Sequence, residues 1–539
     1  FVFVLFFIVA LIIYYPALNG EFFFDDEHII LRNKYITDFK YLPDLFKNSV
    51  LASIGFNDNF YRPLSFVVYL CINQIFGFQP QPNPLYYHLV SIITHFLCSI
   101  VMFRIMINVK TGRLAALIGS MVFLVHPVQT EAIAVACGLA DPLSLLFILC
   151  SLYYCIKYYE SNKFRYLFLI IICSVLSILA KERGAMIFCL LPVFDIVFLK
   201  KQELKWKQYF LDKQRIQIWC CLFFFLIIYI ILRVTALNFN NTLDFYDKPN
   251  IYSENLSVRI YTFFYVFLFY YLKLLFYPYP LYMEKSVTVF TDFMKVQVIC
   301  GVIVFTIMLI LSYKSFFKRK LLFFCIVWFL FALAPTSGII PVNDIVMEHW
   351  LYFSMVSVAM TAGIFAASVL NPDSGIFENK KKILVFLNNK FIKHLNYFIV
   401  LLFIVSFSYI SFKQNYVWKN AYSFFTHILK FNPNSVKAHN NLAMVLSDEK
   451  MFDEAEFHYK KSIELDNSFP QPHHNLARIY LMKNKINEAI LEYENALKIN
   501  PDFVFSHQDL LAIYNHIGNV QKIEYHKNRI KQILPQEVQ

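Results

Sequence analysis

The chain has 539 residues, of which 58% are hydrophobic and 16% charged, and a formal net charge of +12; its mean hydropathy is +0.50. Soluble globular proteins run at about 45–50% apolar and about 25% charged, so the composition excludes an ordinary cytosolic enzyme and, equally, a disordered chain. Nearly all of the basic excess lies before residue 413, in short loops between apolar segments, which is a membrane-topology pattern rather than the basic face of a nucleic-acid binder.

A membrane span needs about 20 mostly apolar residues. In chain order the candidates are 1–18, 86–107, 114–131, 140–159, 165–180, 184–199, 216–237, 258–276, 294–313, 321–338, 345–368 and 394–411. Residue 1 is Phe, inside an apolar run, so the natural N-terminus is expected to lie upstream. No small-residue cleavage site follows, and the first run is expected to be a retained span. Basic clusters fix the topology: Arg104, Lys110 and Arg113; Lys157, Lys163 and Arg165; Lys200, Lys201, Lys205, Lys207, Lys213 and Arg215; Lys314, Lys318, Arg319 and Lys320; Lys380, Lys381, Lys382, Lys390 and Lys393. All are expected on the cytoplasmic side. Twelve crossings cannot satisfy that, so 258–276, punctuated by Arg259 and Lys273 and ending in Tyr277-Pro278-Tyr279-Pro280, is expected to be re-entrant or interfacial. The expectation is about 11 spans, with the N-terminus inside and the C-terminus outside. The external face then holds loop 19–85, the 126–131 turn, 181–183, the region 238–293, 339–344 and the tail. Within 19–85, the amphipathic stretch from Arg62 to Gly77 is expected at the interface.

The tail from 413 repeats. Pro433, Asn467, Pro501 and Pro535 are spaced by 34, and Leu442, Leu476 and Leu510 keep that register, as do Ala455/Ala489 and Tyr459/Tyr493. This is the tetratricopeptide (TPR) pattern, in which each helix pair buries its apolar face only by stacking. The fold class is therefore all-α: a polytopic membrane bundle over 1–412, then a TPR α-solenoid over 413–539 with a half repeat at Ala421–Phe431 and three repeats. Its near-neutral face, bearing His439, Asn441, His473 and Asn475, suits a polypeptide ligand.

Candidate chemistry gathers on one membrane face. Asp25-Asp26 follows the first span and offers a general base for an acceptor hydroxyl. His126 and Glu131, then Asp141, bracket the next external turn. Lys181-Glu182-Arg183 places cations where the positive-inside trend opposes them, which a lipid phosphate would explain. Glu348-His349 adds an acid and an imidazole at the external boundary. Acid, imidazole and cation converging at a bilayer surface suit a reaction between a lipid-anchored donor and a soluble acceptor. They suit a channel less, since no charged ring or repeated filter appears. There is no GxGxxG, no GxxxxGK[ST] and no CxxC. The 11 Cys, from Cys71 to Cys325, are expected to be buried thiols, with no disulfide framework and no zinc site.

At these residues the chain resembles the transmembrane and TPR repeat-containing O-mannosyltransferases and their prokaryotic TPR-bearing relatives, polytopic glycosyltransferases of the GT-C class. Phe24-Asp25-Asp26 resembles the acidic pair of the first external loop. Tyr61-Arg62-Pro63-Leu64 resembles YRPL, and Tyr87-His88-Leu89-Val90 the start of the second span. His126–Glu131 through Gly138-Leu139-Ala140-Asp141 resembles HPVHTEAVAxxxGRAD. Leu179-Ala180-Lys181-Glu182 resembles LAKE, and Glu348-His349-Trp350-Leu351-Tyr352 resembles ExRxLYLP or EHRLYLP. The resemblance implies a GT-C-type bundle and inverting transfer of a sugar, mannose among the candidates, from a polyprenyl- or dolichyl-phosphate donor to a protein hydroxyl. Asp25 or Asp26 would be the base. Lys181, Arg183 and His349 would face the donor phosphate, and His126, Glu131, Asp141, Glu182, Glu348 and Arg62 would position substrate. The TPR groove would hold the acceptor polypeptide. No metal ligand set is expected, although the acidic pair does not exclude a divalent ion. The sequence departs from the pattern at Leu139 and at His349-Trp350, where relatives carry arginine. Two other readings are a catalytically inactive, membrane-anchored TPR scaffold and a polysaccharide polymerase or ligase.

Overall fold

The computed structural model describes residues 1–55, 58, 60–78, 81–199, 206–235, 250–339, 345–372, 387 and 389–534. Lys200, Lys201, Lys205, Lys380, Lys381, Lys382 and Pro535, and parts of the expected loops 19–85, 238–293 and 339–344, lie outside the described residues. The described chain is helical, with no strand among those residues. It divides into two units, Phe1–Leu281 with Val287–Lys419, and Tyr282–Ser286 with Asn420–Gln539.

The first unit is a bundle of apolar helices. They are α1 (Val2–Leu18), α2 (Pro63–Phe76), α3 (Pro84–Asn108), α4 (Arg113–Val125), α5 (Ala140–Ser161), α6 (Phe164–Ala180), α7 (Lys213–Val234), α8 (Leu256–Phe276), α9 (Val296–Lys318), α10 (Lys320–Leu333), α11 (Met355–Leu370) and α12 (Lys390–Asn415). Among the described residues, α3, α5 with its preceding turn, α7, α8, α9 and α12 are each long and apolar enough to cross a bilayer alone. α4 meets the same condition together with Pro127–Ala134, to which it is bent by 49° at His126-Pro127. Proline cannot donate to the helix ladder, so the break falls there. The chain is a multi-pass membrane protein. The helix α8 is continuous, with a π-helical middle at Phe267–Leu272, so length does not single it out as re-entrant. The run 184–199 lies in an unbroken but irregular helical stretch, a 3-10 turn (Glu182–Met186) passing into an α-helix (Ile187–Phe194) that contains Pro192 and then a π-turn (Asp195–Leu199). The expected boundary at 412 falls in the last turn of α12.

Two features position the candidate site. Helices α4 and α11 cross in backbone contact, since a Cβ on Gly363 would lie 2.4 Å from Ala115 O and 2.6 Å from Gly119 N. Small residues permit this approach. Beside the main core, a satellite cluster of Ile30, Ile36, Phe66, Tyr69, Leu70, Tyr87, Leu139 and Leu143 pins the long loop after α1 to the start of α5.

The second unit begins with α13 (Ala421–Phe431) and continues as three helix pairs: α14 and α15 (Val436–Asp448, Phe452–Leu465), α16 and α17 (Pro470–Met482, Ile486–Ile499), and α18 and α19 (Val504–Ile517, Val520–Ile533). Ala438, Ala443, Ala455, Ala477, Ala489 and Ala496 are fully buried, where alanine lets helices pack closely. Tyr282–Ser286 belongs to this unit. Tyr282 stacks on Phe431 at 5.4 Å, Asn432 donates to Glu284 O at 2.8 Å, and the Ser435 hydroxyl donates to the Glu284 carboxylate.

Candidate functional site

The acidic pair is split. Phe24 takes a left-handed backbone conformation, φ 57°, a region bulky residues avoid and one that recurs at functional sites. The turn leaves Asp25 exposed and drives Asp26 to 0% exposure. Asp26 Oδ1 accepts from the Cys137 N–H at 2.8 Å and Oδ2 from the Phe23 N–H at 3.4 Å. Burial pushes the Asp26 carboxyl up to about 7, only partly opposed by the Cys137 contacts. Asp26 therefore ties the loop after α1 to the turn that leads into α5.

That turn delivers Asp141 to the first turn of α5. Asp141 is 3% exposed, and its Oδ2 accepts from Lys181 Nζ at 2.7 Å. Lys181 stands at the end of α6 in extended backbone, and burial pushes its ammonium down to about 8, against the pull of Asp141. The next residue, Glu182, is a clasp. Its Oε1 accepts from the Tyr61 N–H at 2.6 Å and its Oε2 from Arg62 Nε at 3.2 Å. Burial disfavours its ionisation, but Arg62 and the Tyr61 N–H outweigh burial and hold the carboxyl below the usual range. The Arg62 guanidinium also lies 4.8 Å over the Phe60 ring.

Arg183 differs from these. Its Nη2 donates to Ala332 O at 3.1 Å and to Trp350 O at 3.2 Å, and its Cζ sits 5.5 Å from the Phe353 ring centre. Its Nη1 is buried and has no hydrogen-bond partner, and no carboxylate pairs with it among the described residues. It is a cation held by carbonyls with one face unengaged.

The segment Glu348–Tyr352 closes the group. His349 donates its N–H to Glu131 Oε2 at 3.0 Å, and its Nδ1 lies 2.7 Å from Glu131 Oε1. Tyr352 fixes the segment from below through its hydroxyl, 2.8 Å from His95 Nδ1. Glu348 is buried at 2% exposure. The charges of Lys181, His349 and Arg183 all act on Asp141, and that of Asp141 on Arg62. The structure thus brings Arg62, Glu131, Asp141, Lys181, Glu182, Arg183 and His349 together, while Asp26 is bonded to the Cys137 N–H and its neighbour Asp25 is exposed. His126 is occupied otherwise. Its Nε2 donates to Leu275 O at 3.2 Å, its Nδ1 accepts from the Val128 N–H at 3.3 Å, and its ring packs on Phe407. Leu139 is fully buried in the satellite cluster. Among the described residues no group of three or more His, Cys, Asp or Glu gathers as a metal site.

Beneath His126 lies an apolar cavity of about 770 Å³, lined by Val122, His126, Leu275, Phe329, Thr361 and Phe407 among others. This is within the usual ~300–1,000 Å³ of ligand sites.

In the second unit, the imidazoles singled out in the sequence are engaged inside their own repeats. His439 Nδ1 meets His458 Nδ1 at 2.8 Å and its Nε2 donates to Pro433 O at 3.0 Å. His473 meets Glu492 and Asn467, both at 2.5 Å. Asn441 accepts from Asn440 at 3.0 Å, and Asn475 donates to Asn440 at 3.4 Å, forming a half-buried amide row. Cys137, Tyr61 and the Trp350 carbonyl are not visible as site groups in the sequence because they act through backbone atoms, which side-chain chemistry does not advertise.

Residues 436–469 and 470–503 match the tetratricopeptide repeat family. The chain is similar to Protein O-mannosyl-transferase F38B6.6 of Caenorhabditis elegans, 25% identical over 86% of this chain and 62% of that protein. It is also similar to Protein O-mannosyl-transferase TMTC4 of Homo sapiens, 31% identical over 36% of this chain and 29% of that protein. The chain thus spans less than two thirds of the length of these curated relatives. Among solved structures it is similar to the archaeal oligosaccharyltransferase AglB from Archaeoglobus fulgidus, in complex with an inhibitory peptide and a dolichol-phosphate. That match has 14% identity and a TM-score of 0.44, covering 80% of this chain and 57% of that one.

Proposed function

We propose that the chain is a GT-C-type glycosyltransferase that moves a sugar, with mannose the first candidate, from a polyprenyl- or dolichyl-phosphate donor to a protein hydroxyl. The reaction takes place on the extracytoplasmic or luminal face. The observation that carries this reading is Arg183, a buried guanidinium without a carboxylate partner at the centre of a cluster of paired charges. An unengaged cation held by fixed carbonyls stabilises charge that develops on a leaving phosphate. Lys181 is already neutralised by Asp141, so its part is to place Asp141 and fill the floor of the site. His349, a quarter exposed and oriented by Glu131, is the second donor toward the phosphate.

Asp25 is the base. A base must reach the hydroxyl before its pKa matters, and Asp25 is exposed whereas both Asp26 oxygens accept backbone N–H groups. The Asp25 carboxylate takes the hydroxyl proton as the oxygen attacks the anomeric carbon from the face opposite the phosphate. The bond from that carbon to the phosphate oxygen breaks, the phosphate keeps the electron pair beside Arg183, and the sugar inverts. The apolar cavity under His126 has the volume and lining for part of a polyprenyl tail, and the amide row of Asn440, Asn441 and Asn475 suits an extended acceptor backbone.

The test is sugar transfer in detergent with a panel of polyprenyl-phosphate sugars. Asp25→Asn is expected to lose at least ~100-fold in turnover, the low end for a positioned acid–base group, and Asp26→Asn much less. Arg183→Gln is expected to fall further than Arg183→Lys. Absence of transfer from any donor, with the TPR unit still binding protein, would favour the scaffold reading, for which the burial of Leu139 in place of an arginine already speaks.

A further inference from the structure

The three repeats of the second unit each carry an inter-helix pair at the same two positions, 19 residues apart. These are His439 with His458, His473 with Glu492, and His507 with His526. The pairs recur every 34 residues, but the middle one joins unlike groups and the outer two join imidazole to imidazole.

The third pair is the most constrained. His507 Nε2 lies 3.0 Å from Pro501 O, so it carries the hydrogen and Nδ1 is left as an acceptor. His526 Nδ1, 2.8 Å away, must then be the donor, and both rings are neutral. The remaining nitrogen, His526 Nε2, is buried without a partner in a residue 2% exposed. A proton arriving there would create a buried N–H with no acceptor. The surroundings add to this. His526 stacks on Tyr514 with 11° between the planes and touches Tyr525. Lys522 from its own helix repels an added charge and Glu494 from α17 attracts it, but these two are themselves paired at 3.3 Å. Arg529 reaches the same Pro501 carbonyl and pairs with Asp502. In the first pair, His458 is half-buried rather than enclosed, although burial and the neighbouring His439 still hold it below its ordinary value, and Lys461 acts on His439. In the middle pair the Glu492 carboxylate stands where the outer pairs have a second imidazole.

We propose that the TPR unit contains an acid-operated release, in which the His507–His526 contact holds the last helix pair closed while both rings are neutral and frees it as the surroundings acidify. Burial pushes His526 down to about 4, from an ordinary value of 6.5. The unfolded ring takes a proton below pH 6.5 and the folded one does not, so stability is full above that pH and is lost as the pH falls toward 4.

The experiment is hydrogen exchange with mass spectrometry on the full chain in detergent, corrected for intrinsic rates, at pH 7.5 and pH 5. Opening of α18 and α19 is expected to become about 30-fold more populated at pH 5, with a smaller rise in the other two pairs, where burial also holds His439, His458 and, on α16 against Ser506, His474 below the ordinary value. In His526→Asn the amide nitrogen takes the place of Nδ1, so it can donate to His507 but does not titrate, and the larger acid response of α18 and α19 should fall to that of the other pairs. Equal responses in all three repeats, a flat response in wild type, or an undiminished response in His526→Asn would each overturn the proposal. The comparison between repeats needs no variant, so it stands even if His526→Asn fails to fold.

Discussion

Two adjacent aspartates meet opposite fates because one of them is held by an N–H far along the chain. The pair itself was legible in the sequence as Phe24-Asp25-Asp26 following an apolar run. Its division was not, because it depends on Cys137, 111 residues away. The same holds for His126, whose two nitrogens are taken by local and distant backbone. A physical consequence attaches to Asp26. Its carboxyl is raised to about 7, so the native state holds a proton that the unfolded state has released. The ionised group therefore weighs against the fold increasingly as pH rises from about 4 to 7, and fully above that. Asp26→Asn is expected to raise the thermal midpoint in detergent at pH 8, with an upper bound of about 4 kcal/mol, and by less than half as much at pH 5. A lower midpoint at pH 8 would mean that the two N–H bonds more than repay the buried charge.

Hydropathy found the long helices because their composition leaves no alternative, as for α3, α9 and α12. It says less where the helix is irregular. At 184–199 a Cβ on Gly184 would lie 2.1 Å from Ser177 O, so the chain turns closely against α6, and the helical run beyond it contains Pro192 and ends in a π-turn. This close turn is what presents Lys181, Glu182 and Arg183 as three diverging side chains. The α4–α11 crossing rests on glycine in the same way. Gly363→Leu cannot be accommodated without parting the helices and is expected to destabilise the bundle by about 1–3 kcal/mol or more. The loss should appear as a lower melting midpoint by size-exclusion analysis. An unchanged midpoint would show that α11 moves away without penalty.

The 34-residue period made the TPR unit readable at once, since a repeat writes the same buried alanines and tyrosines several times over. The membrane unit has no such redundancy, and its order came instead from basic loops and the distribution of acids on one side. That side carries the whole functional reading, so orientation is the property to test. A reporter fused after Gln539 is expected to read external or luminal by protease protection, on the same side as Asp25. A cytoplasmic reading would separate the repeats from the candidate site and remove their role in holding the acceptor.

Tyr282–Ser286 lies between α8 and α9 in the chain, yet completes the second unit through Tyr282 and Glu284. A repeat fragment cloned from Asn420 would start with the Phe431 face uncovered and Ser435 without its carboxylate. A faithful soluble version must carry this five-residue strap as a graft at its leading edge, or receive it as a separate peptide.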